Sequence, residues 1–199
     1  ASIPSEAVPA HTFSHYFETP VLGKDTLVIG ISATGSSQTV CSSLERARSS
    51  GSISIAITSN PESAIAKAGD AVILSGNYDD RTIVKSKSYI YSMMSIYALA
   101  ISLGKIRNTC DDVTVKYWRG QLLKAGLKAE EFFAGGRMEQ IDNLTKKLNS
   151  AVKIFIIGTG PNLGTIEEAA LKVVEMARTY AECHELENFL HGRFRVVDG

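Results

Sequence analysis

The chain has 199 residues, 44% of them hydrophobic, with 21 acidic and 21 basic side chains and a formal net charge of zero. Such a length fits one or two domains of ordinary globular composition. The charge balance leaves no broad electrostatic footprint for nucleic acid or an anionic membrane, so any anion must be captured by a locally shaped site.

In chain order, "TLVIGIS" (26–32) reads as a buried strand and residues 39–49 as a helix that Gly51 is placed to end. "ISIAIT" (53–58) is a second buried strand, and "SNP" (59–61) turns into a short helix with Pro61 near its start. "DAVIL" (70–74) is a third strand, followed by a long apolar helix over 86–103 closed by Gly104. Short apolar strands alternating with helices predict a parallel sheet covered on both faces. Residues 111–134 and 137–149 carry helical periodicity and are separated by Gly135 and Gly136. The alternation then restarts with a strand at 152–158, a turn at 159–164 and an amphipathic helix at 165–180. This predicts α/β architecture in two related parts: 1–104, lacking a first βα unit; a helical linker at 105–150; and 151–199, which stops soon after one βα unit. Neither part looks complete, and the chain reads as a piece of a longer protein.

No stretch approaches the roughly 18 consecutive apolar residues of a membrane span, and the N-terminus lacks signal-peptide regions. The three cysteines, Cys41, Cys110 and Cys183, form no CxxC pair or zinc spacing, which fits reduced thiols in a cytoplasmic protein. His11, His15 and His184 form no metal-spaced set with acids.

Two stretches carry chemistry. The first, "ISATGSSQT", places Ser32, Thr34, Ser36, Ser37 and Thr39 around Gly35 at the carboxyl end of the first strand. Ligands of open parallel sheets sit at such ends, and backbone amides at a helix N-terminus favour an anion. The loop lacks the GK[ST] of a Walker motif and has one glycine rather than GxGxxG, so it suits a single phosphate monoester better than a nucleotide. The alternative is a plain helix cap, which needs only one or two of these hydroxyls. The second stretch puts Glu168, Lys172 and Glu175 on one helix face, opposite Val173, Val174 and Ala177. By spacing alone this is a solvated charge ladder worth tenths of a kcal/mol. His191, in "FLHGRF", suits a structural role as well as a catalytic one.

These residues carry a resemblance. "ISATGSSQT" resembles the phosphate-loop signature SQSGET of the sugar isomerase (SIS) domain family. "KSKSYIYSM" (85–93) resembles that family's STKAFT segment. "IGTGPNLGTIEEAALKVVE" followed by "ENFLHG" resembles a stretch found in the isomerase half of glucosamine-6-phosphate synthase and in stand-alone phosphosugar isomerases and deglycases. The resemblance implies tandem flavodoxin-like, doubly wound SIS domains joined by helices, with a sugar phosphate as ligand. By position, Ser32, Thr34 and Ser37 match the phosphate-binding hydroxyls, while Ala33 and Ser36 replace the usual glutamine and glutamate. Gly35 lies within the same loop. Ser86 and Lys87 match the third-strand segment, and Lys85 stands where the family often has serine. Glu175 falls on the general base, Lys172 and Glu168 on two earlier polar positions of its helix. His191 falls on the histidine that assists ring opening and, in family dimers, reaches the neighbouring subunit's site. A first βα loop ahead of this chain and a C-terminal tail with a catalytic lysine after it are further implications.

The implied chemistry is proton transfer between C1 and C2 of an open-chain sugar phosphate through an enediol or enolamine. It requires no metal or redox cofactor, and amino-sugar isomerisation, deamination and deglycation all fall within it. The expected assembly is a homodimer or higher homo-oligomer. Two rivals are a non-catalytic sugar-phosphate sensor and an idle dimerisation scaffold.

Overall fold

A computed structural model describes residues 3–16, 21–76, 84–148, 150 and 153–197. The sequence-derived element ends at Asn149 and Val152 lie outside the described residues. The chain divides into two compact units, residues 1–127 and 128–199, and the division falls within a helix.

In the first unit, α1 (Ala10–His15) precedes β1 (Leu27–Ile31), α2 (Gln38–Ser49), β2 (Ile53–Thr58), α3 (Ala64–Ala68), β3 (Ala71–Leu74) and α4 (Lys87–Ile106). The strands pair in the order β1-β2-β3, all parallel, with Leu27 opposite Ile53 and Ile55 opposite Ala71. β-branched residues in "ISIAIT" suit the pleated backbone, and the strand matches its expected bounds. The core lies between β2, α2 and α3, where Val40, Leu44, Ala56, Ile65 and Ala68 meet. Leu44, Ile57 and Ile65 are fully buried, each contributing about 1.5–3 kcal/mol. α1 is tied to α2 by the Ser43 hydroxyl, which donates to Ala10 O at 3.1 Å, and by Arg46, which donates to the carbonyls of Phe13 and Ser14.

The polar staple of this unit is Asp70. Its carboxylate accepts from the Ser54 amide and hydroxyl, both at 2.9 Å, and pairs with Arg48 Nε at 3.0 Å. The Ser54 amide, then its hydroxyl, then the Arg48 charge hold the Asp70 carboxyl below its usual range. A depressed carboxylate contributes stability that is full above its unfolded value of about 4 and is lost as pH falls through the folded value. Asp70→Asn is therefore expected to unfold at lower denaturant than the parent at about pH 7, with the gap closing toward about pH 3. A gap of equal size at both pH values would exclude this linkage.

One expectation for the first unit is corrected. Gly104 does not close α4: the helix runs to Ile106, and Asn108 takes the left-handed turn with φ 55°. Asparagine tolerates that conformation, so no glycine is needed there. The chain also lacks an uninterrupted 18-residue apolar run, yet α4 is long and apolar enough to cross a membrane by length and composition. Ile90, Met94 and Tyr97 on α4 are exposed.

α5 (Asp112–Ala134) crosses the division. The second unit continues with α6 (Arg137–Leu148), β4 (Lys153–Gly158), a 3-10 turn at Gly160–Asn162, α7 (Leu163–Ala177), β5 (Tyr180–Glu185) and α8 (Leu186–Leu190). β4 and β5 are parallel, Lys153 opposite Tyr180 and Gly158 opposite Glu185. The expected helix over 165–180 is thus corrected at its end, because Arg178 turns left-handed, φ 51°, and the chain enters a second strand. More than one βα unit is present. The buried stripe of α7 is Ile166 and Ala170, whereas Val174 is exposed.

Candidate functional site

The hydroxyl loop leaves β1 at Ile31 and enters α2 at Gln38, at the carboxyl end of a parallel strand. Gly35 has φ +71° and is buried against Ser63 and Thr58; a Cβ there would stand 2.1 Å from Ser63 Oγ and 2.9 Å from Thr58 Oγ1. Ser37 occupies the N-cap of α2, but its hydroxyl makes no cap hydrogen bond. It lies 3.2 Å from Thr39 Oγ1 instead, and Thr34 Oγ1 lies 2.8 Å from Ser36 Oγ. The hydroxyls pair with one another, so the capping alternative lacks the contact that defines it. Ser32 and Ser37 are half-buried, while Thr34 and Ser36 are exposed. Ser86, the N-cap of α4, and Lys87, its first residue, are both exposed.

In the second unit, α7 brings Glu168, Lys172 and Glu175 together. Lys172 Nζ lies 3.2 Å from Glu168 Oε1 and 2.6 Å from Glu175 Oε2. The three side chains are 21–34% exposed, so they are more sheltered than an ordinary surface ladder. Burial acts to lower the Lys172 pKa, but the hydrogen bonds to Glu175 and Glu168 outweigh it and raise it above the usual lysine value. His191 is the exposed C-cap of α8, its amide donating to Glu187 O at 3.0 Å. The predicted residues thus form two sets: the loop, Ser86 and Lys87 in the first unit, and the α7 triad and His191 in the second.

Two groups escaped the sequence reading. One is the alternating face of β5, where Glu182 accepts from Tyr180 and lies 3.1 Å from His184 Nε2. The Tyr180 hydrogen bond, and after it the His184 contact, hold Glu182 below the usual carboxylate range. His184 clusters with the rings of Phe155 and Phe189, all three within 5.6–5.9 Å of one another, and its side chain is 9% exposed, as in a structural histidine. The other is the Thr58–Ser63 turn against the hydroxyl loop. An open depression of about 560 Å³ beside β5 includes none of the predicted residues. Among the described residues, no three His, Cys, Asp or Glu side chains are grouped to hold a metal ion.

Parallel strands alternating with helices define an α/β type of protein. Residues 1–103 match the family model of the SIS domain, and the chain belongs to that family. It is 25% identical over its whole length to a glutamine--fructose-6-phosphate aminotransferase [isomerizing] of Clostridium acetobutylicum, of which it covers 32%. The chain therefore spans about a third of the length of the curated relatives it matches. Among solved structures, it resembles the C-terminal domain of glucosamine-fructose-6-phosphate aminotransferase from Francisella tularensis, with TM-score 0.82 and 18% identity, over 95% of this chain and 52% of the other. It also resembles glucosamine-6-phosphate deaminase from Thermotoga maritima, with TM-score 0.70 and 24% identity, over 96% of this chain and 55% of the other. At these identities the two structures share this chain's fold.

Proposed function

We propose that the 32–39 loop binds the phosphate of a sugar phosphate, and that the protein moves a proton between C1 and C2 of that sugar. The observation that carries the reading is the loop itself: it lies within the residues that match the SIS family, and its Ser37 hydroxyl does not cap the helix it precedes. The named relatives act on fructose 6-phosphate or glucosamine 6-phosphate, so an amino-sugar phosphate is the favoured substrate class. In this reading Glu175 is the base, and Lys172 and Glu168 fix its carboxylate. His191 assists ring opening, and Ser86 and Lys87 contact the sugar phosphate. Residues 1–104 and 151–199 are parts of two SIS domains joined by the helices of 105–150, in a cytoplasmic homodimer in which His191 serves the neighbouring subunit. Exposed Leu171, Met176, Leu190 and Phe194 support association.

Sugar phosphates are expected to raise the thermal midpoint, and unphosphorylated sugars are not. Ser37→Ala should weaken binding by about 1–2 kcal/mol, the scale of a hydrogen bond to a charged group. Glucose stabilising the protein as well as glucose 6-phosphate does would remove the phosphate reading. A second reading, a sensor that binds without turnover, is favoured by one observation: Lys172 occupies Glu175 Oε2 at 2.6 Å, an oxygen that a base would need free for the substrate. Solvent-proton exchange separates the two.

A further inference from the structure

Behind the hydroxyl loop lies a segment to which the proposed chemistry gives no part. The Ala33 carbonyl accepts three hydrogen bonds: from the Ser59 amide at 2.9 Å, the Ser59 hydroxyl at 2.7 Å and the Thr58 hydroxyl at 3.1 Å. The Gly35 carbonyl accepts from the Ile65 amide at 3.2 Å. Thr58 is fully buried and Ser63 nearly so. Both are themselves fixed: Thr58 Oγ1 accepts from the Asn60 amide at 3.2 Å, and Ser63 Oγ from the Ala66 amide at 3.4 Å.

A trans peptide unit sets its C=O and N–H in opposite directions. Holding the Ala33 carbonyl against β2 therefore turns the Thr34 amide away from β2. Holding the Gly35 carbonyl against α3 does the same for the Ser36 amide. Neither amide donates a hydrogen bond among the described residues. We infer that Thr58 and Ser59, with the start of α3, are positioning residues that preset the loop for an anion by pinning these two carbonyls and so presenting the Thr34 and Ser36 amides. This rests on the reading of the 32–39 loop as a phosphate site. Preset donors need no reordering when the anion arrives, which favours affinity without any contact from Thr58 or Ser59 to the ligand.

The test compares the parent with Thr58→Val/Ser59→Ala, which removes both hydroxyls at near-constant volume, and with Thr58→Ser, which keeps both hydroxyls and loses only a methyl. Inorganic phosphate and glucose 6-phosphate are titrated well below each thermal midpoint, while the Thr34 and Ser36 amide resonances are followed. In the parent both amides should shift on titration. The double variant should bind about tenfold more weakly with smaller shifts, and Thr58→Ser should stay within about twofold of the parent. If the double variant does not fold, Ser59→Ala alone decides, with an expected loss of about threefold. A parent that binds neither compound overturns the phosphate reading and this inference with it. A parent that binds while its folded variants bind equally overturns only the inference, as does binding that leaves both amides unshifted. A variant that loses thermal stability at unchanged affinity also overturns it, because Thr58 and Ser59 would then be structural alone.

Discussion

Glu175→Gln is expected to leave sugar-phosphate affinity nearly unchanged while reducing proton exchange at C1 or C2 by about 10²–10⁴-fold. Glutamine keeps the length of the side chain and an oxygen that accepts from Lys172, so the triad geometry of α7 should persist. What it lacks is a carboxylate able to take the proton. Deuterium from solvent should enter the substrate with the parent and not with the variant, which mass spectrometry of the recovered sugar reads directly. Equal exchange by both proteins would remove Glu175 as the base. Tight binding by a parent that never exchanges would make the protein a sensor.

Gly35→Ala should strongly destabilise the first unit, costing about 2–4 kcal/mol from left-handed strain and overpacking together. The added methyl would fall 2.1 Å from Ser63 Oγ and 2.2 Å from Ser63 Cβ, and the latter cannot rotate away. Gly51→Ala is the control: its φ is +77°, yet nothing lies within 4 Å of the added carbon. It should cost only the conformational part, about 1–2 kcal/mol. Chemical denaturation of both variants measures the difference. Equal losses would mean that the loop yields to the methyl without strain.

Legibility in the sequence followed how strongly each segment repeats an apolar pattern. β2 was legible to the residue because "ISIAIT" is β-branched and bounded by serines and a turn. β5 was not: "YAECHE" places Glu182 and His184 along a half-buried strand, and their partnership with Tyr180 and two aromatic rings has no signature in spacing. Nor does α7 announce its end, since the left-handed residue is Arg178 rather than glycine. The hydroxyl loop stood out because five hydroxyls crowd one glycine, and the α7 triad because its charges repeat at helical spacing. Thr58, Ser59 and Ser63 passed as an ordinary turn. The importance of Thr58 and Ser59 lies in the Ala33 carbonyl they face, and that depends on two strands folding side by side.

The all-parallel pairing of both sheets has a consequence for how the chain reaches this state. Among the described residues neither sheet contains a hairpin, since a helix separates Leu27 from Ile53 and Lys153 from Tyr180 along the chain. A parallel pair needs a crossover of a dozen or more residues, so the chain closes a long loop before the first interstrand hydrogen bond forms. Such non-local topologies fold slowly compared with helical bundles. The helices that complete the crossovers, α2, α3 and α7, therefore carry the kinetic burden, and during that wait the apolar strands stand open to other chains.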